Sequence, residues 1–136
     1  MRQIYRSIAI LLLFASLAAC SATGEAPETG KSVEELLAEK NLRIVEELKQ
    51  LVNFNIRGYQ YVNRQNVVLQ EGVSRNYLVE TRSPCPNLEF ARTIAFTSTG
   101  RVVREFDKLL VRNAPDRVEY CVIKAIYRLE KTDKEG

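Results

Sequence analysis

The sequence predicts a mainly β domain of the α+β class, in which one N-terminal amphipathic helix precedes a small antiparallel, bent sheet or barrel of five to seven strands. Three observations lead there. Ser32-Val33-Glu34-Glu35 has the form of a capping box, which opens a helix by satisfying two of its free amide groups. From Asn53 onward the spacing of apolar residues changes from the helical period to alternation. The segments that follow are short, rich in β-branched and aromatic residues, and separated by Gly, Asn and Pro.

In the helical part, Leu37, Ile44, Leu48 and Leu51 recur at helical spacing with Leu36, Val45 and Val52 beside them. Glu39 stands four residues before Arg43 on the polar side. This predicts an amphipathic helix over residues 32–52. Asn41, on the Leu37, Ile44, Leu48 line, is placed to set a register if the stripe meets another helix. Three turns of heptad are too few to require a coiled coil, so packing against its own domain is the plainer expectation.

Residues 56–62, 66–70 and 76–81 read as consecutive antiparallel strands, the last two joined through Glu71-Gly72, where glycine allows a positive φ. After a Pro84-Cys85-Pro86 corner come residues 93–98, with Ile94 and Phe96 alternating with Thr93, Ala95 and Thr97, and then a Thr99-Gly100 turn. Residues 102–106 and 108–111 read as one strand bent near Asp107, and the Asn113-Ala114-Pro115-Asp116 loop leads to a last strand over 118–129. Strict alternation there puts Cys121, Ile123, Ala125, Tyr127 and Leu129 on one face and Tyr120, Val122, Lys124, Ile126 and Arg128 on the other. The expected organisation is a leader over 1–19, a tether over 20–31, the helix over 32–52, a β-domain over 53–131 and a charged tail over 132–136.

The first twenty residues set an address. Arg2 and Arg6 precede an apolar run, residues 8–19, that ends in Leu17-Ala18-Ala19-Cys20. The run is shorter than the roughly 20 residues that span a bilayer, and the pattern resembles a bacterial lipoprotein signal. That resemblance implies a diacylglyceryl group on the Cys20 thiol, cleavage before Cys20 and acylation of the new amino terminus. Two or three chains at about 0.8 kcal/mol per buried CH₂ hold a protein in a membrane far better than one. Ser21 stands where an Asp would favour the inner membrane, which points to the inner leaflet of the outer membrane, facing the periplasm. The small polar stretch that follows Cys20 reads as a flexible tether.

Without residues 1–19, which hold Arg2, Arg6 and no acid, 20 basic against 17 acidic groups become 18 against 17. A nearly neutral mature chain offers no electrostatic footprint for nucleic acid. With Cys20 assigned to lipid, two cysteines remain. An oxidising periplasm, an even number of thiols and a small domain favour one disulfide, Cys85 to Cys121, worth about 3 to 4 kcal/mol in the chain-entropy model. No Cys-x-x-Cys spacing marks a reactive pair.

Gly58-Tyr59, Val68-Leu69, Arg75-Asn76-Tyr77-Leu78-Val79, Cys85-Pro86-Asn87-Leu88, Phe96, Asp107-Lys108-Leu109-Leu110-Val111 and Cys121-Val122-Ile123 together resemble an uncharacterised family of small proteobacterial envelope proteins, many of them lipoproteins. The likeness covers about residues 55–130. Its motifs sit at core and disulfide positions, so it implies a fold and brings no activity with it.

The chain has no histidine, which removes the commonest general base and transition-metal ligand. The acids are scattered, and no EF-hand, phosphate loop or nucleophile elbow is present. After residue 50 the basic residues are mostly arginine, and residues 51–136 carry 14 basic and 10 acidic groups against four and seven in residues 20–50. Arg101 and Arg104, beside the Thr99-Gly100 turn, are candidate contacts for an anionic partner or lipid phosphate, with pairing to the acidic helix segment as the alternative. The expected function is therefore a non-enzymatic, lipid-anchored periplasmic module. It needs no metal and no cofactor beyond the acyl groups at Cys20, and it contacts the membrane through that anchor and an envelope protein or anionic ligand through its β-surface. Two other classes are open: a histidine-free glycan-acting enzyme using a carboxylate pair such as Asp107 and Glu119, and a helix-mediated oligomer.

Overall fold

The helix that opens the domain is much shorter than its apolar spacing predicts. In the computed structural model, which describes residues 30–52, 55–98 and 100–133, α1 runs over Val33–Glu39. The expected leader, Cys20 and most of the tether lie outside the described residues. The capping box is formed: the Glu35 amide donates to Ser32 Oγ at 3.2 Å and the Ser32 amide to Glu35 Oε2 at 3.0 Å. The chain then turns at Asn41, whose φ of 57° lies in the left-handed region that Asn tolerates better than most residues. It resumes as β1 (Leu42–Leu48) and β2 (Gln50–Val52). The helix expected over 32–52 is thus corrected to seven residues, and Asn41 marks a turn instead of a helical register. Ile44, Leu48 and Leu51 are strand residues. Tertiary pairing decides this, because a short helix gains little by itself and β1 finds a ladder on the last strand of the domain.

The remaining elements are β3 (Ile56–Asn63), β4 (Asn66–Glu71), β5 (Arg75–Thr81), a 3₁₀ turn (Pro86–Leu88), β6 (Thr93–Phe96), β7 (Val102–Arg104), β8 (Lys108–Ala114) and β9 (Arg117–Lys131). Gly72 has the positive φ expected of the β4–β5 turn, 61°. The sheet order is β3-β4-β5-β9-β8-β6, with β1 also on β9, and every described pair is antiparallel. The result is a curled half-barrel of the predicted class. The expected bent strand over 102–111 is instead two strands with different partners: β7 pairs with β2 in a small ribbon, whereas β8 pairs with β6 and β9. Phe106, with φ 72°, lies in the turn between them.

β9 is the spine. Its residues 117–122 face β8, 123–129 face β5 and 126–131 face β1. Opposite β5, Glu80 meets Ala125 and Thr81 meets Ile123, so Lys124 is an extra, bulged residue. A bulge reverses the alternation beyond it, and the single face expected for Cys121 through Leu129 is corrected accordingly. Cys121, Ile123 and Ile126 point into the inner cluster with Tyr77 and Val79. Tyr127 and Leu129 point outward, with Leu78, to the cluster capped by Leu37 of α1. The register of β1 shifts in the same way between Ile44 and Glu46, so Ile44 packs outside with Leu129 and Leu48 packs inside near Ile126. β4 and β5 are buried on both faces, which explains the unbroken apolar runs Val67-Val68-Leu69 and Tyr77-Leu78-Val79.

One carboxylate belongs to this core. Glu71 is buried, and it accepts from the Tyr77 hydroxyl at 3.0 Å and the Asn55 amide at 3.2 Å, with Arg75 at 3.8 Å. Burial first, and then Glu71, pushes the Tyr77 hydroxyl above the usual tyrosine range; burial and Glu80 do the same to Tyr127.

Two outcomes follow from this packing. Ile126 is 1% exposed and belongs to the inner cluster, so Ile126→Ala is expected to lower unfolding free energy by about 2 to 5 kcal/mol in urea titrations. A loss below about 1 kcal/mol would place the side chain outside the core. For the raised tyrosines, the unfolded chain releases its protons first, at about pH 10. Stability linked to the neutral hydroxyls is complete below that pH and is lost as pH rises through the folded values. Urea midpoints measured from neutral to strongly alkaline pH should therefore begin to fall near about pH 10, and Tyr77→Phe should shallow the fall. An unchanged slope would remove Tyr77 from the linkage.

Candidate functional site

The polar residues singled out in the sequence are divided among three places in the fold, and most of them are structurally engaged. The first place is the loop between β5 and β6. The disulfide joins Cys85 to Cys121 across 36 residues with Cα atoms 6.1 Å apart. The Cys85 amide donates to the Arg64 carbonyl at 2.7 Å, and Leu88 is fully buried beneath the loop. Glu119 Oε2 accepts from the Asn87 amide at 3.0 Å, and Asn113 Nδ2 donates to Asn87 Oδ1 at 2.9 Å. The Tyr59 hydroxyl donates to the Ala91 carbonyl. Since β3 and β6 end the strand order, this bond ties β3 to the chain just before β6, across the seam that a complete barrel would close with a ladder.

The second place is the turn before β8. Asp107 Oδ2 accepts from the Arg104 amide at 2.7 Å, and the Asp107 carbonyl accepts from the Ile123 amide at 2.9 Å. Asp107 is therefore level with Ile123, four residues along β9 from Glu119, or about 13 Å at strand rise. The structure does not bring the two carboxylates together, and each holds a backbone amide. Glu119 lies near the sulfurs of Cys85 and Cys121, with donor atoms within 4.8 Å of one another. Both sulfurs are spent on each other, so the group lacks the thiolates that bind transition metals.

Arg101 and Arg104 form the third place, on and beside the β2–β7 ribbon. Arg104 Nε donates to Gln50 Oε1 at 3.1 Å, which commits part of its guanidinium, while Arg101 is exposed after Gly100. Arg128 pairs with Glu46 at 3.3 Å, as the charge division between the two segments suggests, whereas Arg43 with Glu130 at 3.3 Å joins the same segments with the signs reversed. Arg82 pairs with Glu105 and lies over the Phe106 ring, 4.2 Å from its centroid.

An open cleft of about 360 Å³, with no signal in the sequence, lies beside the Lys124 bulge. Glu47, Lys49, Glu105 and Lys124 line it over a floor of Leu48 and Ile126. Its charges are largely compensated, because Lys124 pairs with Glu80 at 2.8 Å and Glu105 with Arg82. Glu80 holds the Lys124 ammonium above the usual lysine range. The cleft was hidden because residues 47–49 fit a helical period and nothing in the sequence around Lys124 announces a bulge.

Comparison with known proteins adds a family and no activity. No curated protein and no solved structure matches the chain. A family model for proteins of unknown function does match, over residues 3–135, so it takes in the N-terminal segment as well as the β-domain. The chain with this disulfide-clamped half-barrel therefore belongs to a family of unknown function, DUF6491.

Proposed function

We propose that the chain is a lipid-tethered periplasmic protein that works by binding, held through Cys20 to the inner leaflet of the outer membrane. The cysteine pairing carries this reading. Of three cysteines, Cys85 and Cys121 pair within the domain, a pairing that suits an oxidising compartment. That leaves Cys20 alone, directly after Leu17-Ala18-Ala19 in a leader with basic and apolar parts. The proposed attachment is a covalent lipid on Cys20, which the Leu17-Ala18-Ala19-Cys20 pattern supports. The binding role is supported by how the acids are used. Asp107 and Glu119, the carboxylates best placed by sequence for glycan chemistry, hold backbone amides of the turn before β8 and of the loop clamped by the disulfide. The proposed partner is an envelope protein or anionic ligand met by the β-surface, without nucleic acid.

Intact mass of the protein extracted from membranes of the cell that makes it tests this directly. The expected species begins at Cys20, carries diacylglyceryl and N-acyl mass, and has no alkylatable thiol before reduction. A water-soluble species with an unmodified Cys20, or one with two free thiols, would overturn the proposal. On the same material, reduction or Cys85→Ser with Cys121→Ser is expected to lower stability by about 3 to 4 kcal/mol in urea melts.

A further inference from the structure

Among the described residues, the outer face of the sheet is covered over one part and bare over another. α1 packs through Leu37 onto the cluster of Val68, Leu78 and Leu129. Among the described residues no helix covers the outer side of β6, β8 and the first half of β9. The register there places Ala95, Leu110 and Tyr120 opposite one another as an apolar row across three strands, since their neighbours Phe96, Leu109 and Cys121 belong to the inner core. Tyr120 is 57% exposed in this row. Two residues either side of Leu110 on β8 stand Lys108 and Arg112, both exposed and with no side-chain partner among the described residues. Among the described residues of β6, β8 and 117–122 of β9 the one carboxylate is Glu119, and the exposed Asp116 stands in the β8–β9 turn at the end of the face. Glu119 turns inward to Asn87, and on the neighbouring segments Glu80 is paired with Lys124 and Glu105 with Arg82.

We propose that this face lies on an anionic bilayer surface, with Tyr120 entering the headgroup region and Lys108 and Arg112 meeting lipid phosphates on either side. An exposed aromatic ring with a polar tip suits the membrane interface. Cations near an anionic leaflet each add attraction, and their alkyl stems can lie along the apolar row while the charges reach outward. A second copy of the chain fits poorly, because pairing the face with itself opposes like charges. The length of the connecting chain also fits. Ten residues, numbered 20–29, join Cys20 to Gly30; they reach about 35 Å at most, close to the width of a domain of this size. A lipid on Cys20 would therefore keep the face at high effective concentration above the membrane. The inference rests on the proposed anchor, and its test supplies the anchor chemically so that the two can fail separately.

The chain contains no tryptophan and six tyrosines, so Tyr120→Trp introduces a single indole that is excited selectively at wavelengths longer than those tyrosine absorbs. Every described contact lies within residues 30–133, and the chain beginning at Cys20 retains them all. With Cys85 and Cys121 paired, its only free thiol is Cys20, which is coupled to a maleimide lipid in vesicles of phosphatidylcholine with or without phosphatidylglycerol. The indole at position 120 is expected to shift to the blue and to be quenched by brominated lipid only when phosphatidylglycerol is present. Lys108→Gln with Arg112→Gln should lower the docking equilibrium about thirtyfold. The reporter of Val73→Trp, at a position 92% exposed in the β4–β5 turn, should stay solvent-like. If Tyr120→Trp fails to fold, Ala95→Trp reads the same row. Solvent-like emission from the Tyr120→Trp chain on anionic vesicles, equal quenching on neutral ones, quenching at position 73 instead, or a blue shift that appears with protein concentration alone would each overturn the inference. Whether cells acylate Cys20 is decided separately by intact mass.

Discussion

Pairing along β9 organises the fold, because β1, β5 and β8 all hydrogen-bond to it. One strand of 15 residues serves three partners, and the order in which it meets them sets the curl of the sheet. A regular strand could face one core only, because alternation fixes every second side chain to the same side. The extra residue at Lys124 removes that restriction. Before it, β9 contributes Cys121 and Ile123 to the inner cluster; after it, Ile126 continues that face while Tyr127 and Leu129 build the outer one. β1 follows with its own irregularity at Val45, so the two strands stay matched side chain to side chain, Ile44 against Leu129 and Leu48 against Ile126.

The same irregularities decide what could be read from the sequence. β3, β4 and β5 were legible because their runs of Val, Leu, Tyr and Ile are bounded by Asn63-Arg64-Gln65 and by Glu71-Gly72, local signals that need no partner to be understood. Residues 42–51 misled for a physical reason. Leu42, Ile44, Leu48 and Leu51 belong to two faces of bulged and interrupted strands, and the spacing that results imitates a helical stripe. The β-branched pair Ile44-Val45 behind a lone Asn41 was the contrary signal. Likewise the division between β7 and β8 depends on β7 finding β2, a contact about fifty residues back in the chain that no local pattern encodes.

The disulfide was legible from cysteine arithmetic, but its structural role was not. Sequence shows two thiols; the fold shows that the bridge anchors a loop whose neighbours finish the barrel by other means. Leu88 is buried beneath the loop, Glu119 holds the Asn87 amide, and Tyr59 reaches from the first strand of the sheet order to Ala91. Of these, the Tyr59–Ala91 hydrogen bond spans the gap where β3 and β6 form no backbone ladder with each other. A carboxylate used in this way contributes to stability by satisfying a backbone donor that would be costly to bury alone.

The division of the outer face follows from the length of α1. A helix of seven residues is about 10 Å long at helical rise, enough to cover the outer side where β3, β4, β5 and the end of β9 meet, and too short to reach across to β6 and β8. Had the chain continued as a helix beyond Asn41, its apolar stripe could have spread over the second area, and the residues that now form β1 would have left the end of β9 unpaired. Stopping the helix at Glu39 satisfies that ladder and leaves Tyr120 exposed, with Leu110 half-buried beside it. The two exposed cations beside them, Lys108 and Arg112, keep the row hydrated. The bare face, among the described residues, is thus a consequence of the β1–β9 ladder.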